Sequence, residues 1–206
     1  IRHSEKVFNM KRLLLILILT LSFQTLSKAD DIRKFQIEGM SIGDSLLDFF
    51  SEGEILKNTD KNMWKGSDKK FTAFLTHYPT NLKTYAVYDY LRVEYLTNDN
   101  NFIIHGITGM KDYKKINIQE CYKLQKIIEK EFDKKFSNFN KSKKSFASMY
   151  DKTGESKITS IYYDSKNGYA ETSCYHFSSH VNYPSGIDIS LTSGNLKKWI
   201  SSLRDN

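Results

Sequence analysis

Three observations predict an α+β fold built on an antiparallel sheet. Runs with strand-like alternation come in groups, the groups are separated by helix starts, and hairpin-turn signals join neighbouring strands. The predicted order is helix, three strands, helix, three strands, helix, with the helices packed on one face of the sheet. That order suggests tandem α-β-β-β halves, about 30–112 and 113–206, within one mature domain, 30–206, of ordinary single-domain length.

The elements follow in order. Ser41-x-x-Asp44 reads as a helix start, with Ile42, Leu46, Phe49 and Phe50 on one face, and Ser51-x-x-Glu54 repeats the capping pattern before Ile55 and Leu56. Residues 71–77 alternate around Phe71, Ala73 and Leu75, and residues 85–96 are aromatic and β-branched. A turn at 98–101 leads into a strand over 102–108. Asn117-x-x-Glu120 opens the strongest helix, with Ile118, Cys121, Leu124, Ile128, Phe132 and Phe136 on one stripe. Residues 137–156 are polar and Lys-rich and read as a loop or linker. Strands over 158–163 and 169–177 flank a hairpin turn, and residues 187–192 alternate strictly. Leu196, Trp199, Ile200 and Leu203 form the last helical stripe.

Residues 1–29 are not expected to belong to the fold. Residues 1–9 precede the start-like Met10 and read as an upstream extension. Residues 10–29 read as a signal peptide, with Lys11-Arg12, an apolar run over 13–23, and Ser27 and Ala29 placed for cleavage before Asp30. The apolar run is short for a membrane-spanning helix. Membrane attachment is therefore expected only through an uncleaved leader. The expected location is periplasmic or secreted, in a bacterium.

The leader also carries much of the basic charge. It holds Arg2, Lys6, Lys11, Arg12 and Lys28 against Glu5, so the formal charge of +7 for the whole chain falls to +3 without it. With only five arginines among 31 basic residues, the bidentate contacts that nucleic-acid sites favour are scarce. No nucleic-acid partner is expected. Cys121 and Cys174 are the two cysteines, and in an exported chain they are expected to pair.

The segment Phe35-Gln36-Ile37-Glu38-Gly39-Met40-Ser41-Ile42-Gly43-Asp44-Ser45-Leu46-Leu47 resembles the openings of small, uncharacterised exported bacterial proteins. It is also similar to the Gly-Met-Ser/Thr helix start of BamE/SmpA-type envelope proteins, which share an ααβββ unit with tandem β-lactamase-inhibitor-protein modules. The resemblance covers about a dozen residues and the element order, and it implies a non-enzymatic interaction module of the envelope. This chain lacks the cysteine that lipid anchoring would need after its leader, and no functional residue is carried over.

Enzyme signatures are missing: no G-x-S-x-G, H-E-x-x-H, P-loop or G-x-G-x-x-G occurs. Ser67-x-x-Lys70 and Lys152-Thr153-Gly154 match fragments of penicillin-binding motifs, but both fall in polar segments and S-D-N is absent. Asp44 with Asp48, beside Glu52 and Glu54, is better explained by helix-start electrostatics than by acid–base chemistry. No catalytic residue and no cofactor is expected. Cys174, His176 and His180 form the densest set of possible metal ligands and are kept as an alternative to the disulfide reading. Tyrosine suits binding surfaces, and Tyr88 and Tyr90 are expected on one strand face opposite Val87, Leu91 and Val93. Tyr88, Tyr90 and Tyr175 are thus the candidate contacts for a protein or other envelope macromolecule. The alternative function is a small-ligand or metal carrier.

Overall fold

The computed structural model describes residues 31–61, 63, 69–76, 85, 87–113, 118–149 and 151–203. The proposed leader, Ser67 and Asn117 lie outside the described residues. Eight strands form one antiparallel sheet: β3 (Thr59–Asp60), β4 (Phe71–Leu75), β5 (Tyr90–Leu96), β6 (Gly106–Tyr113), β7 (Asn140–Ala147), β8 (Lys157–Ser165), β9 (Gly168–His176) and β10 (Ser185–Ser193). Their spatial order is β3-β4-β5-β6-β10-β9-β8-β7, with neighbours antiparallel throughout. The chain thus makes two four-stranded meanders, and their last strands, β6 and β10, meet in the middle. The α+β class is as predicted, although each half contributes four strands rather than three.

Cross-strand partners point to the same side of a sheet, so the register sorts the side chains into two faces. One face carries Phe74, Val93, Ile107, Leu191, Ala170 and Tyr163 in a single row across the sheet. All six are buried in the main core. Two pieces of chain cover it. The segment 31–58 starts against β9 and β10 at Ile32 and continues over β4–β6, with a small hairpin of β1 (Gln36–Ile37) and β2 (Met40–Ser41), a 3-10 turn Leu46–Asp48, and α1 (Glu52–Lys57). Over β8–β10 lies α2 (Ile118–Lys135), which buries Cys121, Gln125, Ile128 and Phe132. The two coverings touch at Phe35 and Phe136, whose ring centroids are 4.2 Å apart.

Local chemistry accounts for several of these elements. Glu38 and Gly39 both have positive φ, 53° and 84°, as a two-residue hairpin loop of the mirror-image type requires. Ser51 and Glu54 form the predicted capping box on α1. Gln125 sits on the apolar stripe of α2, and its Nε2 donates to the carbonyls of Thr159 at 2.8 Å and Thr172 at 2.9 Å. A buried amide satisfied in this way fixes the height of the helix over β8 and β9. The Cys121–Cys174 disulfide ties the same helix to β9, with Cα atoms 5.9 Å apart.

Four expectations are corrected. The helix expected from Ser41 is instead β2, a turn and the 3-10 segment. Gly43 N–H donates to Ile104 O, Ile104 N–H to Asp44 O and Leu46 N–H to Phe102 O, so a distant loop takes the backbone groups a helix would have used. The strand expected over 102–108 begins at Gly106 and runs to Tyr113. The polar stretch 137–156 contains β7, an eight-residue edge strand exposed along its whole length. Its first six residues, 140–145, are polar on both faces, so no alternation announces it, and pairing with β8 creates it. Finally, the helices do not share one face. The C-terminal helix α3 (Gly194–Ser202), capped by Ser193 as its sequence suggests, packs Leu196 and Trp199 against Phe71 on the opposite side of the sheet. None of the described helices is long and apolar enough to cross a membrane.

Candidate functional site: the open face of the sheet

The face opposite the main core carries many polar residues, and among the described residues α3 covers one end of it. Leu196 sits over Gly106, where an added Cβ would lie 2.6 Å from its methyl and 2.5 Å from the Glu94 carboxylate. Trp199 stacks near Phe71, with centroids 5.1 Å apart, and Lys197 Nζ donates to Asp164 at 2.5 Å. Beyond that cover, no described helix lies over two register rows, in which Thr108, Met110, Ser160 and Ser173 are buried and the larger side chains are partly exposed. One runs Ser142, Tyr162, Glu171, Ser190, Thr108, Arg92, and the next runs Lys144, Ser160, Ser173, Asp188, Met110, Tyr90. A third row, at the far edge, contains Phe146, Ile158, Tyr175, Gly186 and Asp112.

Small hydroxyl residues floor the middle of this surface, and larger groups flank it. Arg92 Nε donates to Glu94 at 2.7 Å, and its other nitrogen to Thr108 at 3.2 Å, which lies 3.0 Å from Ser190 Oγ. Across the floor, Ser160 and Ser173 hydroxyls are 2.6 Å apart, and Ser173 donates to Glu171 at 2.6 Å. Tyr90 donates to Asp112 at 3.0 Å. Glu94 is only 5% exposed, so its charge is held by Arg92, whose own protonated form is reinforced by Glu94 and Asp188 against the cost of burial.

Asp188 sits at the centre. Burial pushes its carboxyl up to about 7, Arg92 and a hydrogen bond from Tyr175 pull the other way, and Glu171 and Asp112 add to the rise. Burial likewise pushes the Tyr175 hydroxyl well up, and that of Tyr162 up to about 12. At the far edge Tyr175 stacks on Phe177, centroids 6.0 Å apart, and Phe177 meets Tyr183, which is 55% exposed. The surface thus offers half-exposed aromatics beside a fixed pattern of donors and acceptors. It can dock polar, planar or charged groups without any covalent step.

The predicted contacts divide. Tyr90 and Tyr175 lie on this face. Tyr88 does not: it precedes β5, is buried, and covers Gly109 on the core side. Burial raises its hydroxyl. Sequence reasoning missed Arg92, Glu94, Glu171 and Asp188. The available signal was the charged residues inside otherwise apolar strands, Arg92 and Glu94 in β5 and Asp188 between two isoleucines.

The other candidates have structural roles. Cys174 is in the disulfide, which removes its thiolate from the set with His176 and His180. Among the described residues no group of three or more His, Cys, Asp or Glu is placed to hold a metal ion. Asp44 accepts from Ser41 N–H at 2.7 Å, and Glu54 completes the cap of α1. In the Lys152-Thr153-Gly154 segment, Thr153 donates to Asp151 at 2.6 Å, and Ser156 and Thr153 hold that carboxyl well below its usual range. Two open clefts, about 440 and 610 Å³, meet at His105. There His105 Nδ1 lies 3.2 Å from Ser193 Oγ, but that oxygen caps α3, and the nearby Asp99 carboxylate is taken by the backbone N–H groups of Asn101 and Ile103. Among the described residues no acid is hydrogen-bonded to the ring.

No family model, no curated protein and no solved structure matches this chain.

Proposed function

We propose that the protein is a non-enzymatic interaction module of the bacterial envelope, exported to the periplasm or secreted, that docks a partner macromolecule on the open face of its sheet. One observation carries this reading. No described helix lies over two rows of the eight-stranded antiparallel sheet, and those rows present Tyr90, Tyr162 and Arg92, each partly exposed, around a floor of buried, hydrogen-bonded hydroxyls. Aromatic and arginine side chains in that setting are the common anchors of protein interfaces. The disulfide suits an oxidising compartment, and the leader pattern supplies the route to it. A small-ligand carrier is less well supported, because these two clefts are open and no Phe, Tyr or Trp is among the described residues that line them.

Native and denaturing mass spectrometry of the protein released from a periplasm tests the reading. The expected species is a chain beginning at Asp30, two hydrogens short of the reduced mass. In the native spectrum it should carry a protein partner that is lost from the Tyr90→Ala/Tyr175→Ala variant. Free thiols with a bound metal, or a bare chain throughout, would contradict it.

A further inference from the structure

β7 is the outer strand on its side, eight residues long, and all eight are exposed. The opposite edge, β3, has two residues. In an antiparallel strand successive residues direct their backbone groups alternately inward and outward. Ser148 N–H donates to Ser156 O at 2.9 Å, in the same register that pairs Ala147 with Lys157. The even-numbered residues of β7 therefore bond to β8, and Lys141, Lys143, Ser145 and Ala147 turn their N–H and C=O groups outward. No described residue buries them.

The side chains say what this edge would accept. Lys141 and Lys143 project on the core side of the sheet. Lys141 is drawn to Glu129 and Asp133 on α2, at 2.7 Å each, while Lys143 has no ion pair among the described residues. On the other side Lys144 lies over the Tyr162 ring, 5.7 Å from its centroid, and Phe146 is 45% exposed. Edge lysines guard against pairing with like strands. The two antiparallel pairings of two copies that overlap most of β7 through its outward residues set Lys144 against Lys144 or Lys143 against Lys143, which disfavours a second copy. The same charges favour an acidic strand.

We propose that β7 is a docking edge for an extended segment of a partner protein, added as a ninth strand. The segment alternates acidic residues, facing Lys143 on the core side, with apolar residues that cover Phe146 on the open side. Main-chain hydrogen bonds to the four outward residues hold it, and the side chains set its register.

The probe is an eight-residue capped peptide of alternating Glu and Val, titrated into the isotope-labelled protein at low salt. The readout is amide exchange residue by residue. The expected result is protection of the Lys141, Lys143, Ser145 and Ala147 amides by about tenfold, with the even-numbered amides unchanged. A Lys/Val peptide should give none. Ser145→Pro removes an outward N–H where proline is tolerated, leaves the β8 ladder intact, and should abolish the effect. Lys143→Glu should weaken it. No protection, equal protection by the Lys/Val peptide, survival in Ser145→Pro, or protection that appears without peptide as protein concentration rises would each overturn the proposal. The Tyr90→Ala/Tyr175→Ala variant should bind the peptide normally, so this test and that of the open face fail separately.

Discussion

Asp188 shows how a single residue on this sheet trades stability for a polar surface. Its carboxyl sits at about 7 in the folded chain, against 3.8 for the free group. Between those values the native state binds a proton that the unfolded state does not, so this group lowers stability as pH rises through that window. Asp188→Asn removes the charge and keeps the shape. It is expected to raise the melting temperature by about 2–4 °C at pH 8, equivalent to about 1 kcal/mol, and to have no effect near pH 4. Melting curves of both proteins across pH check the sign. Gly109 is a second such position. A Cβ there would lie 2.5 Å from the Tyr88 ring, so Gly109→Ala forces that buried ring to move. The expected loss is about 1–3 kcal/mol by urea denaturation, as for other overpacked sites. Neither residue could be singled out from sequence, because the neighbour that gives each its role is set by strand pairing.

At the scale of elements, what could be read early was local. The capping box of Ser51 and Glu54, the stripe on α2 and the alternation of β10 each depend on residues a few positions apart. The Cys121–Cys174 pair was legible only because there were two cysteines. What escaped depends on distant partners: the segment 41–50, bonded to residues 102–104, and β7, which gets its structure from β8. The disulfide makes an element-level prediction. It joins α2 to β9 across a sequence separation of 53, and removing it frees the unfolded chain by about 4 kcal/mol on the chain-entropy model. The Cys121→Ala/Cys174→Ala variant is expected to melt about 10 °C lower, read by calorimetry. An unchanged melting temperature would mean that Gln125 and the apolar stripe hold the helix without it.

Over the whole molecule, one continuous sheet separates two environments. Among the described residues, the core side is closed by the segment 31–58 and α2, and the other side carries α3 at one end. The sequence announced an uncovered face and two of its tyrosines, Tyr90 and Tyr175. It did not announce that Arg92, Thr108, Ser190, Glu171 and Asp188 would assemble there from four strands, since no spacing along the chain encodes those two rows. The central claim is that this side is a docking surface. A photo-crosslinking residue placed at Tyr175, and in a second protein at exposed Leu56 on α1, tests it in the periplasm. The account predicts one protein adduct from position 175, competed by unlabelled protein, and none from position 56. No adduct at 175, or the same adduct from both positions, would contradict it.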